Sequence, residues 1–345
     1  MKQGCYTALI TPFKNDGSLD YEGLDKLIDF QIKNKITGIL AVGTTGESPT
    51  LHWKEHNEVI EITAKKTKNN CLCIAGTGSN NTEESINGSE HAVKAGVDAL
   101  LLVDPYYNNP SSMSIRKEYI EPIAEKFPDV TIIPYVIPGR TGSKLYPEDL
   151  ALAFQNYPNV SCVKEATGDI ENMKRTRTVC GEDFKIFSGD DSLTFELMSN
   201  PEIKGSGIIS VASNIIPAFM TEMAEELAAG KLDSARKILK DIEPFFQLVT
   251  IVTQEEYRFG TVESKFKNPL PIKTLFGILG LPGGGCRRPL GKMTQKGAQK
   301  VFETGKKVFK KSPHVLKPVA DFFDIDIEQR LNSPDIYSDL IYKEV

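Results

Sequence analysis

Lys164 carries the most chemistry to explain, because it is the one charge at the end of an apolar, β-branched run, Val160 to Val163, and is followed by Glu165-Ala166-Thr167-Gly168. Such a run reads as a buried strand of a parallel sheet, where an unpaired ammonium is costly. An amine in partly desolvated surroundings loses its proton more readily than one in water, and the neutral amine can attack a ketone to form a Schiff base. The plainer alternative is a lysine with a buried stem and a solvated head. Three other segments carry groups suited to the same work. Gly43-Thr44-Thr45-Gly46-Glu47-Ser48 offers amides and hydroxyls that can converge on a small anion. Pro105-Tyr106-Tyr107-Asn108 offers paired phenols for a proton relay. Tyr135 leads into Pro138-Gly139-Arg140-Thr141-Gly142, an arginine in a glycine-flanked turn that can fork a carboxylate. Taken singly, each has an ordinary reading as a polar turn, a packing pair or a surface charge.

What joins them is the rhythm of the chain. Short apolar runs alternate with amphipathic stretches, as in βα units. Strands are predicted at Tyr6 to Thr11, Gly38 to Val42, Leu72 to Gly76, Ala99 to Val103, Val130 to Tyr135, Val160 to Val163, Phe184 to Phe187 and Gly207 to Val211. Between them, apolar residues recur at helical spacing, as in Leu24, Leu27 and Ile28. This pattern predicts an α/β fold, a (β/α)₈ TIM barrel with a C-terminal helical extension. A doubly wound open sheet is the structural alternative, but the glycine-rich dinucleotide fingerprint is missing after the first strand. The expected organisation is a barrel with the active site over residues 1–230, a C-terminal helical region over 231–312 with Leu232 to Val252 helical, and an acidic accessory tail over 313–345. In a barrel the chemistry sits on the loops after the strands, and all four segments fall there. That coincidence raises the weight of each.

Composition narrows the classes. The 345 residues are 40% hydrophobic and 25% charged, typical of a soluble globular protein, with a net charge of -5. Nothing pulls the chain toward nucleic acid or membrane. The six cysteines are scattered among apolar runs, which fits reduced thiols in the cytoplasm. The N-terminus enters a strand-like run without a signal segment, and no stretch reaches the length of a membrane span. The four histidines are too dispersed for a zinc site, so no metal is expected.

The four segments, together with Phe187-Ser188-Gly189-Asp190-Asp191, Gly207-Ile208-Ile209-Ser210-Val211 and Asn268-Pro269-Leu270-Pro271-Ile272-Lys273, resemble the dihydrodipicolinate synthase and N-acetylneuraminate lyase family of pyruvate-dependent class I aldolases over roughly residues 4–300. The resemblance implies that Lys164 forms the imine with pyruvate, that Tyr135 shuttles the proton, and that Thr44 links Tyr135 to Tyr107, the last reaching in from a neighbouring subunit. It implies that Thr45 with Thr44 holds the pyruvate carboxylate, and that Gly189 and Ile209 line the substrate pocket. No cofactor is implied beyond the covalent imine.

The Gly-Arg-Thr-Gly turn resembles the synthase branch, where the arginine binds the carboxylate of L-aspartate 4-semialdehyde and the product is 4-hydroxy-tetrahydrodipicolinate, destined for lysine. A related pyruvate aldolase or 2-oxo acid dehydratase, or a non-catalytic barrel that binds a 2-oxo acid, is the alternative. Val136 stands where the synthases usually carry an asparagine that shapes the pocket. The resemblance further implies a homodimer or homotetramer, and an allosteric L-lysine site mapping onto Ser48, Trp53, His56, Asn80, Glu84 and Tyr106.

Overall fold

The computed structural model describes residues 1–333 and 335–343; Pro334, Glu344 and Val345, part of the expected acidic tail, lie outside the described residues. Eight strands alternate with helices: β1 Gly4–Ala8, β2 Gly38–Ala41, β3 Leu72–Gly76, β4 Ala99–Val103, β5 Thr131–Val136, β6 Cys162–Glu165, β7 Lys185–Ser188 and β8 Gly207–Ser210. Each pairs in parallel with the next, and β1 pairs with β8 to close the barrel. Strands this short and this buried need apolar side chains on both faces, which is why they appear in sequence as nearly unbroken apolar runs.

Alternation sorts those faces into two cores. Tyr135, Cys162, Phe187 and Ile209 join the cluster inside the barrel, whereas Val136, Val163 and Ile208 join the larger cluster under the helices. Lys164 sits inside β6 rather than just beyond it, beside Tyr135 of β5 and Phe187 of β7 in the ladder. The three residues therefore share one level of the barrel. Val136 faces the helix layer, so its substitution for asparagine alters the packing behind the pocket and not the pocket wall.

The extension departs from the expected helix over Leu232 to Val252. Helix ends at Ile242, a 3₁₀ segment covers Glu243–Val249, and an antiparallel hairpin follows, β9 Thr250–Tyr257 and β10 Gly260–Lys267. The cause is a change of period. Thr250, Ile251, Val252 and Thr253 are β-branched, and Ile251, Thr253 and Glu255 are buried while Val252, Gln254 and Glu256 face solvent. Helix Leu270–Leu279 then runs through the Pro/Gly-rich passage, followed by helix Gln295–Lys311. In the tail, Phe322 and Phe323 pack on Phe30, with ring centroids 5.3 and 5.2 Å apart. Among the described residues no helix is long and apolar enough to cross a membrane.

Candidate active site

Lys164 is 5% exposed, and its ammonium lies 4.2 Å from the centroid of the Tyr135 ring. Among the described residues no carboxylate or carbonyl is hydrogen-bonded to it. Burial therefore dominates and lowers its pKa to about 7; the charge of buried Asp191 pulls it back up, and Arg140 pushes it further down. Near neutrality the amine is about half deprotonated, the form that attacks a carbonyl. The Tyr135 phenol is pushed up to about 12 by burial, with Arg140 and the Thr44 hydroxyl opposing, so it is a proton donor at neutral pH. Gly189 leaves room for the lysine stem, since a Cβ there would stand 2.8 Å from the Ala166 Cβ and 3.2 Å from the Lys164 Cε.

Above this level opens a cavity of about 610 Å³. Its wall takes Thr44 and Ser48 from the loop after β2, Tyr106 and Tyr107 from the loop after β4, Tyr135 at the end of β5, and Arg140 from the turn beyond. Three of the four segments marked in the sequence thus meet in one space, and Lys164 lies beneath it at the Tyr135 ring, not on the wall itself. Two wall loops hold backbone that side chains rarely adopt: Val42 has φ 47° and Tyr107 has φ 73°. Left-handed backbone at a β-branched residue is a strain that the surrounding structure must enforce.

The loop after β2 is anchored by a buried ion pair. Lys273 donates to Glu47 Oε1 at 2.7 Å, to the Thr11 carbonyl at 3.0 Å and to the Gly285 carbonyl at 2.8 Å. The other Glu47 oxygen accepts the Arg287 amide at 2.9 Å. Glu47, itself at φ 58°, is thereby locked and fixes the Gly43–Ser48 loop against the C-terminal region. Arg140 is held as well, its Nη2 donating to the Asn268 carbonyl at 2.9 Å, and Lys267 Nζ reaches the Gly139 carbonyl at 3.4 Å. Among the described residues the other guanidinium donors have no protein acceptor.

The remaining expected residues divide. The Thr45 hydroxyl accepts from Asn268 Nδ2 at 2.9 Å and lies off the cavity wall, and its own proton has no acceptor among the described residues. Ile209 is buried in the inner barrel cluster. Tyr107 is 89% exposed and projects from the molecule. Of the six residues assigned to lysine binding, Ser48 and Tyr106 lie on the cavity wall. Trp53 stacks edge-on against His56 at 5.0 Å, and His56 is buried with Nε2 on the Gly76 carbonyl at 3.1 Å. Burial lowers the His56 pKa to about 4, so the ring is neutral near pH 7. Glu84 accepts from Ser79 Oγ at 2.7 Å, and Asn80 is exposed beside it.

Asp191, Asn268 and Glu47 had no assigned role in the sequence. Asp191 accepts from Ser210 Oγ at 2.5 Å and from the amides of Val211 and Ala212 at 3.1 and 3.0 Å, which ties β7 to β8. Only an unexplained buried-type carboxylate within an apolar context could have marked it.

Comparison with known proteins places the chain in a family. Residues 1–308 match the model of the dihydrodipicolinate synthetase family. A 4-hydroxy-tetrahydrodipicolinate synthase of Methanococcus vannielii is 39% identical over 299 residues, covering 87% of this chain and 96% of the relative. The 4-hydroxy-tetrahydrodipicolinate synthase structure from Methylacidiphilum fumariolicum SolV superposes with a TM-score of 0.81 at 34% identity, covering 92% of this chain and 100% of that one. A lysine-bound synthase structure from Cyanidioschyzon merolae has a TM-score of 0.79 at 34% identity, covering 89% and 98%. The chain belongs to the dihydrodipicolinate synthetase family.

Proposed function

We propose that the chain condenses pyruvate with L-aspartate 4-semialdehyde to 4-hydroxy-tetrahydrodipicolinate, the lysine-biosynthetic reaction of its relatives. The observation that carries this reading is the buried Lys164, without a hydrogen-bonded carboxylate among the described residues, against the face of the Tyr135 ring that lines a cavity also bearing Arg140. The neutral amine attacks the pyruvate ketone, Tyr135 gives its proton to the departing oxygen, and water leaves as the imine forms. Loss of a methyl proton gives an enamine, which adds to the aldehyde carbon. Arg140 holds the aldehyde's carboxylate, and Thr44 joins Tyr135 to Tyr107 in the proton path. The product's own amine then displaces Lys164 and closes the ring. The imine is the electron sink, so the cycle calls for no metal or cofactor.

On this reading the enzyme works in the cytoplasm. Tyr107, which projects from one subunit, completes the site of another in a homodimer or homotetramer. L-Lysine is an effector near Ser48, Trp53, His56, Asn80, Glu84 and Tyr106, where Glu84 meets the ε-ammonium and Trp53 covers the alkyl stem. The test is an assay with pyruvate and L-aspartate 4-semialdehyde, coupled to nicotinamide-dependent reduction of the product. Turnover with this aldehyde supports the proposal. Turnover only with other aldehydes, after normal imine formation, points to a related aldolase and overturns it.

A further inference from the structure

The β9–β10 hairpin has two edges, and they are treated differently. Along β9 the two central outward carbonyls are already taken: Lys296 Nζ donates to Gln254 O at 2.6 Å and Lys300 Nζ to Val252 O at 2.7 Å. Ammonium groups laid on an edge block further pairing. The outer edge of β10 has no partner among the described residues, and the strand is exposed along most of its length. An open eight-residue edge is a template for another strand.

The register shows which backbone groups are free. The two-residue turn Arg258-Phe259 closes on the pair Tyr257 and Gly260, and such a closing pair exchanges hydrogen bonds. With a period of two, Glu255–Val262, Thr253–Ser264 and Ile251–Phe266 are the other bonded pairs. The lysine contacts to Val252 and Gln254 on the opposite edge agree. The N–H and C=O groups of Thr261, Glu263, Lys265 and Lys267 therefore point away from the hairpin.

The side chains of β10 are complementary to themselves in one antiparallel register. Centred on Ser264, it sets Glu263 opposite Lys265 of the second copy, Lys265 opposite Glu263, and Val262 opposite Phe266. Glu263 and Lys265 become hydrogen-bonded cross-strand pairs of opposite sign, and Lys267 falls opposite Thr261. Shifting the centre to Glu263 or to Lys265 puts like charges face to face, which is destabilising. Within one chain Glu263 and Lys265 already lie 2.8 Å apart on one face, while Val262, half exposed, extends the apolar face that Phe266 begins. The geometry points to β10 as a two-fold pairing edge for a second copy of this chain, joining two hairpins into a four-stranded antiparallel sheet. Because Lys267 and Asn268 at the end of β10 brace Gly139 and Arg140, this pairing also stiffens the rim of the active site.

The test uses the full-length protein. Sedimentation velocity over a dilution series compares wild type with Glu263→Lys, Lys265→Glu and the double swap. Each single reversal creates like-charge pairs on both sides of the axis and should raise the dissociation constant of this contact at least about tenfold, and the swap should restore it. In parallel, Ser264→Cys, which meets itself across the axis, is oxidised with diamide beside Thr261→Cys, which does not. A non-hydrogen-bonded antiparallel pair brings the two Cα atoms within disulfide reach. Fast linkage of Ser264→Cys into a dimer, with Thr261→Cys slow, supports the edge. Equal linkage rates, or single reversals that leave association unchanged, overturn it.

Discussion

Among the described residues two lysines are buried, and each has its ammonium 4.2 Å from an aromatic centroid, Lys164 over Tyr135 and Lys273 over Phe13. There the likeness ends. Lys273 has one carboxylate and two carbonyls for its three N–H donors, and it fastens the loop that carries Thr44. Lys164 has an aromatic face and, among the described residues, no carboxylate hydrogen-bonded to it, and its pKa drops to about 7. The contrast teaches that burial by itself does not make an amine reactive. Withholding the acceptors does.

Removing each lysine should therefore move stability in opposite directions. Lys273→Met leaves the buried Glu47 carboxylate without its cation and should destabilise the fold by about 3–5 kcal/mol in urea titrations. An unchanged midpoint would break the comparison. Lys164→Met should stabilise the protein at pH 7, because charging a group whose pKa falls from 10.5 to about 7 on folding carries a penalty of about 4 kcal/mol there. Here the folded pKa is the lower one. The penalty is full below pH 7, shrinks as pH rises, and is gone above the unfolded value of 10.5. The wild type should accordingly gain stability relative to Lys164→Met between pH 7 and 10.

Smaller effects sharpen the account at the rim. Arg140→Ala should lower kcat/KM for the aldehyde by about 1.5–3 kcal/mol, a loss of roughly ten- to a hundredfold, with little change in pyruvate KM. Equal losses for both substrates would leave Arg140 as a loop-shaping residue only. Asp191→Asn removes the charge that raises the Lys164 pKa. It should shift the lower limb of the pH–rate profile for imine formation to lower pH, and an upward shift would contradict the electrostatic picture.

Much of this was legible in the sequence for physical reasons. The eight strands are buried on both faces, so their apolar runs stand out, and β3 and β4 begin and end where expected. Lys164 was conspicuous because it breaks such a run. The hairpin was hidden because it lies on the surface, where Gln254, Glu256 and Lys265 dilute the apolar signal and Leu232 to Ile242 starts a true helix just before it. Thr45 shows a different limit. Its neighbour Thr44 faces the cavity while its own hydroxyl accepts from Asn268, 223 residues away, and no local spacing reveals that bond. Lys273 was visible only as part of a motif, because its partner Glu47 is equally remote.

The central claim is that Lys164 alone among the buried amines is a nucleophile. Wild type, Lys164→Ala and Lys273→Met should each be incubated with pyruvate and borohydride and weighed, with the modified peptide identified. The account predicts one reduced pyruvate adduct on the peptide containing Lys164 in the wild type and in whatever fraction of Lys273→Met remains folded, none in Lys164→Ala, and a labelling rate that rises through pH 7 and then levels off. An adduct persisting in Lys164→Ala, or found on Lys273, would contradict it.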